Sequence, residues 1–280
     1  MKKIISKTLL SFIIVLFLFP AYSNAQIKKY STRKYRPPQV TVELLFNYAQ
    51  PIPHLYSDVA SFFSFDGYGV KYGFGSEINV RLTTNKKGTI MPYATIGYNL
   101  FMGNDGGTAY LDSNVLHKFP LSGNGTFGTV SGSSKMLLHN FNFGLGFSYA
   151  FANRTRWTPF VNADLDMNIL FGTYRQTPDR VVGTGNITDE VSYTIKQSIR
   201  FGFGLGGGVH LRVSKYVGFV FETKYKFANL LGKDSKVSTE ENKMYLNDLQ
   251  DTSLNSNLVK SRQINFLQFS LGVAFFIGRK

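Results

Sequence analysis

The chain has no cysteine, one tryptophan, four histidines and only 17 acidic residues in 280. Each scarcity removes a class of protein. Without cysteine there is no disulfide, no thiolate metal site and no lipid-modified cysteine at a processing site. Beyond residue 20, no stretch approaches the roughly 18 to 20 unbroken apolar residues that a helix needs to cross a bilayer. The histidines are scattered: His54 and His117 fall in loop-like segments with Asp58 and Asp112 nearby, His139 lies in an alternating stretch, and His210 sits beside Arg212. Loop pairs of that kind arise by chance, and His210 lacks a clustered carboxylate. The residues therefore predict no catalytic site, no metal and no cofactor.

What the chain does have is alternation. From Val191 to Val213, Val191, Tyr193, Ile195, Ile199, Phe201, Phe203, Leu205, Val209, Leu211 and Val213 share one parity, while Ser192, Thr194, Lys196, Ser198, Arg200, His210 and Arg212 share the other. A two-residue period of this length is a strand with one apolar and one polar face. The N-terminus supplies the compartment. Lys2, Lys3 and Lys7 precede an apolar run from Leu9 to Phe19, Pro20 breaks it, and Ser23, Asn24 and Ala25 offer small residues for cleavage before Gln26. Residues 1–25 read as a signal peptide. Residues 26–39 carry Lys28, Lys29, Arg33, Lys34 and Arg36 and read as a basic periplasmic segment, a solvated linker rather than a headgroup-binding tail. Residues 40–280 then form one domain.

Eight alternating stretches fill that domain, at about 40–49, 68–82, 89–101, 137–151, 157–173, 191–213, 216–230 and 264–277. Every second link is about two to six residues, and the others run to about 16 to 33, as turns on one rim and loops on the other of a transmembrane barrel do. The fold class is therefore all-β, an antiparallel up-and-down transmembrane β-barrel of eight strands. Ten is the alternative if the long loops hide strands near Ala109 to Val115 or Lys243 to Leu249.

Energetics orient the faces. An Arg or Lys pointing into hydrocarbon near the midplane costs about 2 to 4 kcal/mol, so the charged parity faces the lumen and the apolar parity faces lipid. A soluble lipocalin-like barrel would have the reverse sidedness. The expected lumen network is Glu43, Lys71, Glu77, Arg81, Asp164, Asp166, Lys196, Arg200, Arg212, Glu222, Lys224 and Lys226. Pairing the fifth and sixth stretches across their loop sets Asp164 near Arg200 and Asp166 near Lys196 or Ser198. Pairing the sixth and seventh sets Gly202, Gly204 and Gly206 near Lys226, Lys224 and Glu222. An eight-stranded interior is about filled by side chains, so the leading reading is a salt-bridged plug. The alternative is a narrow polar conduit left by the glycines, with a mild anion preference because inward bases outnumber acids. Loop aromatics Tyr56, Phe62, Phe63 and Phe65 read as an interfacial girdle ahead of a binding surface.

The last stretch, Gln268 to Ile277, resembles the terminal assembly signal of outer-membrane barrels, with Ser270, Gly272, Phe275 and Ile277 at the expected spacing, although Gly278, Arg279 and Lys280 extend past it. From Val40 onward the chain resembles the small outer-membrane barrels of the OmpX, OmpW and OmpA-transmembrane-domain type, often called porin-family proteins. The resemblance implies residence in the outer membrane of a Gram-negative-type bacterium as a monomer. Its implied partners are outer-membrane lipid, lipopolysaccharide and the barrel-assembly machinery, with an extracellular ligand at the long loops and no nucleic acid. The function expected is structural and surface-interacting, adhesin-like, with a narrow channel for small polar or anionic solutes as the alternative. A lipid A-modifying enzyme is the weakest reading, because a lipid A deacylase-like His-x-Ser at His139 would need serine where Phe141 stands.

Overall fold

A computed structural model describes residues 37–62, 65–85, 87–106, 109–112, 127–130, 132–151, 156–178, 191–236, 238–240, 242–251 and 259–278. The expected signal peptide, its Ala25/Gln26 junction and most of the basic segment lie outside the described residues.

The strands are β1 (Val40–Pro51), β2 (Tyr72–Leu82), β3 (Ile90–Gly106), β4 (Ala109–Asp112), β5 (Phe127–Val130), β6 (Gly132–Ala150), β7 (Trp157–Pro178), β8 (Val191–Arg212), β9 (Val217–Leu231), β10 (Lys243–Met244), β11 (Leu249–Asp251), β12 (Val259–Ser261) and β13 (Asn265–Ile277). Eight of them close a barrel in the order β8, β7, β6, β3, β2, β1, β13, β9, with β9 pairing back to β8. The suspected extra strands exist and leave the count at eight. Among the described residues β4 pairs only with β5 and β11 only with β12, and β10 is a two-residue parallel addition to the edge of β8.

Alternation decides the outside. Leu145, Phe147, Leu165, Phe46 and Leu271 are each more than 60% exposed. Transferred to water, such a surface would be far larger than the apolar patches soluble monomers carry. The wall is built to face lipid.

A transmembrane strand needs about 9 to 11 residues. β3, β6, β7 and β8 have 17, 19, 22 and 22 residues, so this side of the barrel projects past the membrane as a four-stranded fin. Above the membrane the polarity requirement inverts, because the exterior meets water and the interior becomes an ordinary core. β6 and β7 obey by changing residue type along each face: inward Asn140 and Asn142 give way to Leu138 and Met136, and outward Phe141 gives way to Lys135. In β8 one parity is apolar along most of the strand, and a β-bulge solves the conflict. The pairing with β7 shifts between Leu170 and Gly172, so that Ser198 faces Leu170 and Ile195 faces Gly172. Two residues, Lys196 and Gln197, thus stand opposite Phe171, and parity reverses. Tyr193 and Ile195, expected on the lipid face, are buried inside, and Lys196, expected in the lumen, is turned outward.

The start of the second strand also moves. Tyr68 and Val70, expected to face lipid, are fully buried in the loop ahead of β2.

Candidate functional site

Mid-barrel, the inward face of β2 presents Glu77, Asn79 and Arg81, that of β7 presents Asn162, Asp164 and Asp166, and that of β9 presents Glu222, Lys224 and Lys226. Glu43 of β1 and His210 of β8 complete the layer. Arg81 donates through Nε to Glu43 Oε1 at 2.7 Å and through Nη2 to Glu222 Oε2 at 3.2 Å. Its guanidinium lies between the rings of Tyr93 and Phe160, 4.7 and 4.6 Å from their centroids. His210 Nε2 is 2.7 Å from Glu43 Oε1. Lys224 Nζ reaches Glu77 at 2.9 Å, Glu222 at 3.1 Å and Asp164 at 3.4 Å. Lys226 Nζ bridges Asp164 and Asp166 at 2.8 and 2.7 Å. Amide and phenol donors add further hydrogen bonds: Asn79 to Glu43, Asn162 to Glu222, Gln268 to Glu77 and Tyr93 to Asp164.

These charges are sealed. Glu43 and Arg81 are 0% exposed, Glu77, Glu222 and Lys224 are 1%, and Asp164, Asp166 and Lys226 are 3 to 4%. A water-filled pore beside them would make them accessible, so this layer is solid. Buried ions are tolerated only when paired and hydrogen-bonded. Below it, Leu45, Met91, Ala150, Phe160 and Val220 form an apolar floor.

Several expected positions need correction. Asp164 and Asp166 pair with Gly204 and Gly202, while Arg200 faces Asn168, so the expected contacts of Asp164 with Arg200 and of Asp166 with Lys196 do not form. Both carboxylates instead take Lys226, which reaches them over the bare backbone of β8. The β8–β9 register also differs by two residues from the expected one, pairing Gly204, Gly206 and Gly208 with Lys226, Lys224 and Glu222. Small still sits beside long, with a steric reason: a Cβ on Gly206 would lie 2.5 Å from Lys224 Cγ. Lys71 is at the loop rim, bonded to Asp105 at 2.7 Å and Asp58 at 3.2 Å. The Asp105 bond raises its pKa. Lys196 pairs with Glu240 of the β9–β13 loop. Arg212 is half-buried near the opposite rim, its guanidinium 5.1 Å above the Phe276 ring. What remains mid-barrel is five carboxylates (Glu43, Glu77, Asp164, Asp166, Glu222) against Arg81, Lys224 and Lys226. In this layer the acids outnumber the bases.

A second, extracellular layer escaped the sequence reading. The β1–β2 loop inserts Leu55, Val59, Phe62, Tyr68 and Val70 into the barrel mouth, and the β9–β13 loop inserts Leu246 and Ile264. They meet inward-facing Phe101, Met136, Leu138, Leu170, Tyr174, Tyr193, Ile195 and Phe266. Arg262 joins the two loops. It donates to the carbonyls of Phe62 and Gly67 on one side and of Leu246 and Asn247 on the other, while its guanidinium lies 4.2 to 4.8 Å from the rings of Phe62, Phe65 and Tyr68. Phe62 and Phe65 therefore line this cap and do not form a membrane girdle, whereas Tyr56 is exposed and Phe63 lies outside the described residues. Burial lowers the pKa of Arg262 and raises that of Tyr68. Beneath, Arg200 binds Asp248 at 2.5 Å and Asp234 at 2.7 Å, and Tyr68 donates to Asp248. At the loop edge, hydrogen bonds from Lys196 and Lys243 hold Glu240 down at about 2.

Of the remaining singled-out residues, Ser270 and Gly272 of β13 point inward, while Phe275 and Ile277 point to lipid. His139 is also on the lipid side, its Nδ1 2.7 Å from Tyr98 Oη and its ring stacked 4.8 Å from Phe171. His54 is in the β1–β2 loop, and His117 lies outside the described residues.

No protein-family model matches this chain, and no curated protein matches its sequence. Solved structures do. Neisserial surface protein A is 15% identical, with 85% of this chain and 97% of that chain covered and a TM-score of 0.42. The attachment invasion locus protein Ail of Yersinia pestis is 10% identical, with 85% and 98% covered and a TM-score of 0.33. A major outer membrane protein from Thermus thermophilus is 13% identical, with 84% and 98% covered and a TM-score of 0.42. These are likenesses of fold only. With its closed eight-stranded antiparallel sheet, apolar exterior and charged interior, the chain has the fold of a transmembrane β-barrel.

Proposed function

We propose that this barrel serves the outer membrane as a monomeric structural element that acts through its extracellular surface, adhesin-like, and does not conduct solute. The observation carrying the reading is the burial of the lumen charges, with Glu43 and Arg81 at 0% exposure. Opening a path would require separating Arg81 from Glu43 and Glu222, and removing one partner of a buried pair costs about 3 to 5 kcal/mol. The cap above adds a second closure. Recognition then falls to loops and fin, where a rigid scaffold ordinarily carries it. Partners under this reading are outer-membrane lipid and lipopolysaccharide, the barrel-assembly machinery that would read Ser270, Gly272, Phe275 and Ile277, and an extracellular ligand at the loops. No reaction and no cofactor is assigned. Single-channel recording of the refolded mature protein in a planar bilayer tests the reading. A silent bilayer with folded protein is expected; reproducible conductance steps would overturn it.

A further inference from the structure

Between the charged layer and the apolar cap runs a belt of side-chain amides. Its position is set strand by strand. Asn47, Asn99, Asn140, Asn168 and Gln268 each face inward, and the next inward residue on the extracellular side is Ala49, Phe101, Leu138, Leu170 or Phe266, all members of the cap core. Two bonds cross the barrel at this level, from Asn99 Nδ2 to Gln268 Oε1 at 3.4 Å and from Asn168 Nδ2 to the carbonyl of Ala228 at 3.1 Å. Gln268 ties the belt to the charges below by donating to Glu77 at 2.8 Å.

Much of the belt is left unpaired by the protein itself. Both amide atoms of Asn47 and of Asn140, Oδ1 of Asn99, Nδ2 of Asn142, Oγ1 of Thr95 and Oδ1 of Asp166 are buried and make no hydrogen bond among the described residues. None of these six residues is more than 4% exposed. Asn47 and Asn140 cannot pair with each other: Asn47 is flanked by Gly75 and Ser270, Asn140 by Asn99 and Leu170, and three strand spacings, about 14 Å along the wall, separate them. Asn99 leans over Gly75, where a Cβ would lie 2.4 Å from its Oδ1, and Asp166 leans over Gly144, where a Cβ would lie 2.2 Å from its Oδ1. A buried polar atom left dry costs at least as much as a hydrogen bond contributes, and a set of this size would rival the stability of an ordinary domain. Such groups call for a bound partner.

The chemistry of the set selects that partner. Donors and acceptors are balanced, three amide nitrogens and one hydroxyl against four oxygens. Flipping Asn47 or Asn140 leaves the balance unchanged, because both atoms of each amide are unpaired. A cation would leave the nitrogens unmet and would crowd Lys226, whose Nζ is 2.7 Å from the other oxygen of Asp166. An anion would leave the oxygens unmet and would face the same carboxylate. A neutral molecule that both donates and accepts fits, and the smallest is water, which takes about two to four polar partners when buried. We propose that the amide belt holds a cluster of ordered waters sealed between the cap and the charged layer, a wet chamber inside a barrel closed at both ends. The inference rests on the closed lumen of the reading above.

Magnetisation transfer from water tests it, on refolded mature protein carrying isotope-labelled asparagine in detergent micelles. The side-chain amide protons of Asn47, Asn140 and Asn142 should show Overhauser effects to water with the sign of molecules bound for longer than the particle tumbles. The backbone amide of Leu138, in the apolar cap, should show none. Absence of long-lived water at all three side chains would overturn the chamber. So would a shift of their signals when sodium chloride replaces choline chloride, which would assign the site to a cation. Asn140→Leu should lower the urea midpoint of the vesicle-inserted protein, because the waters lose two partners; a raised midpoint would mean that the amide had been dry and would also overturn the proposal. Heat-modifiable gel mobility checks that the variant is folded. Single-channel recording separates the two readings: a conducting wild type sinks the closed lumen, whereas a silent one without bound water sinks only the chamber.

Discussion

Lys226 on β9 reaches past Gly204 of β8 to the carboxylate of Asp164 on β7, its Nζ 2.8 Å from Oδ1. Contact between second-neighbour strands is feasible because Gly204 has no side chain, and any Cβ there would collide with Asp164. Gly204→Val should therefore break a buried pair and cost about 3 kcal/mol or more. Urea-induced unfolding of the vesicle-inserted protein would show it as a lowered midpoint; an unchanged midpoint would mean that Lys226 has another route to the carboxylates.

Arg262 is the pin of the cap, and its loss should be local. In Arg262→Ala the carbonyls of Phe62, Gly67, Leu246 and Asn247 lose their shared donor. Limited proteolysis should then cut residues 52–71 and 232–264 at least about tenfold faster, as expected when several charged hydrogen bonds vanish together. Gel mobility of the barrel should not change.

Glu240 gives the cap edge a defined acid limit. Its carboxyl is held at about 2, first by the hydrogen bond from Lys196 and then by that from Lys243. A depressed carboxylate contributes stability above its unfolded pKa and loses it as pH falls through the folded one. The tie should therefore persist from neutrality down to about pH 3 and fail near pH 2. Pepsin digestion can follow it: the wild-type loop should become susceptible across that interval, whereas Glu240→Gln should be cut similarly throughout.

Phe275 and Ile277 lie on the lipid-facing parity of β13, so their role separates assembly from stability. Phe275→Ala should shift the unfolding midpoint of refolded protein by about 1 kcal/mol or less, since the ring is 39% exposed to the bilayer side. Outer-membrane yield in cells should fall several-fold if the assembly machinery reads this strand. Equal yield of variant and wild type would remove Phe275 from the signal.

Much of this fold was legible because hydrocarbon enforces sidedness strongly. The inward parity of Glu43, Asp164, Asp166 and Lys224 follows from alternation alone. Register did not follow, since the glycines in Phe201 to Val209 impose no unique partner, and a two-residue slip preserves every face. Lys196 was misplaced for a different reason: the apolar parity of β8 resumes on the same phase after the single polar Gln197, and the bulge arises from the inversion of surroundings along the strand. The cap was hidden in plain residues. Leu55, Val59 and Phe62 in a loop, with Arg262 far downstream, are a core pattern without a period, and only the closed barrel brings them together.

The bulge at Lys196 and Gln197 acts as a waterline. Below it the wall is inside-out, and above it the same wall is right way out, so the protein carries a fixed mark of how deep it can sit. Sinking by more than a residue or two would drag Lys135 and Arg175 toward hydrocarbon at a cost approaching about 2 to 4 kcal/mol each, and rising would bare Phe141 and Ile169 to water. A membrane of different thickness must therefore adjust to the barrel, since the barrel has little freedom to slide.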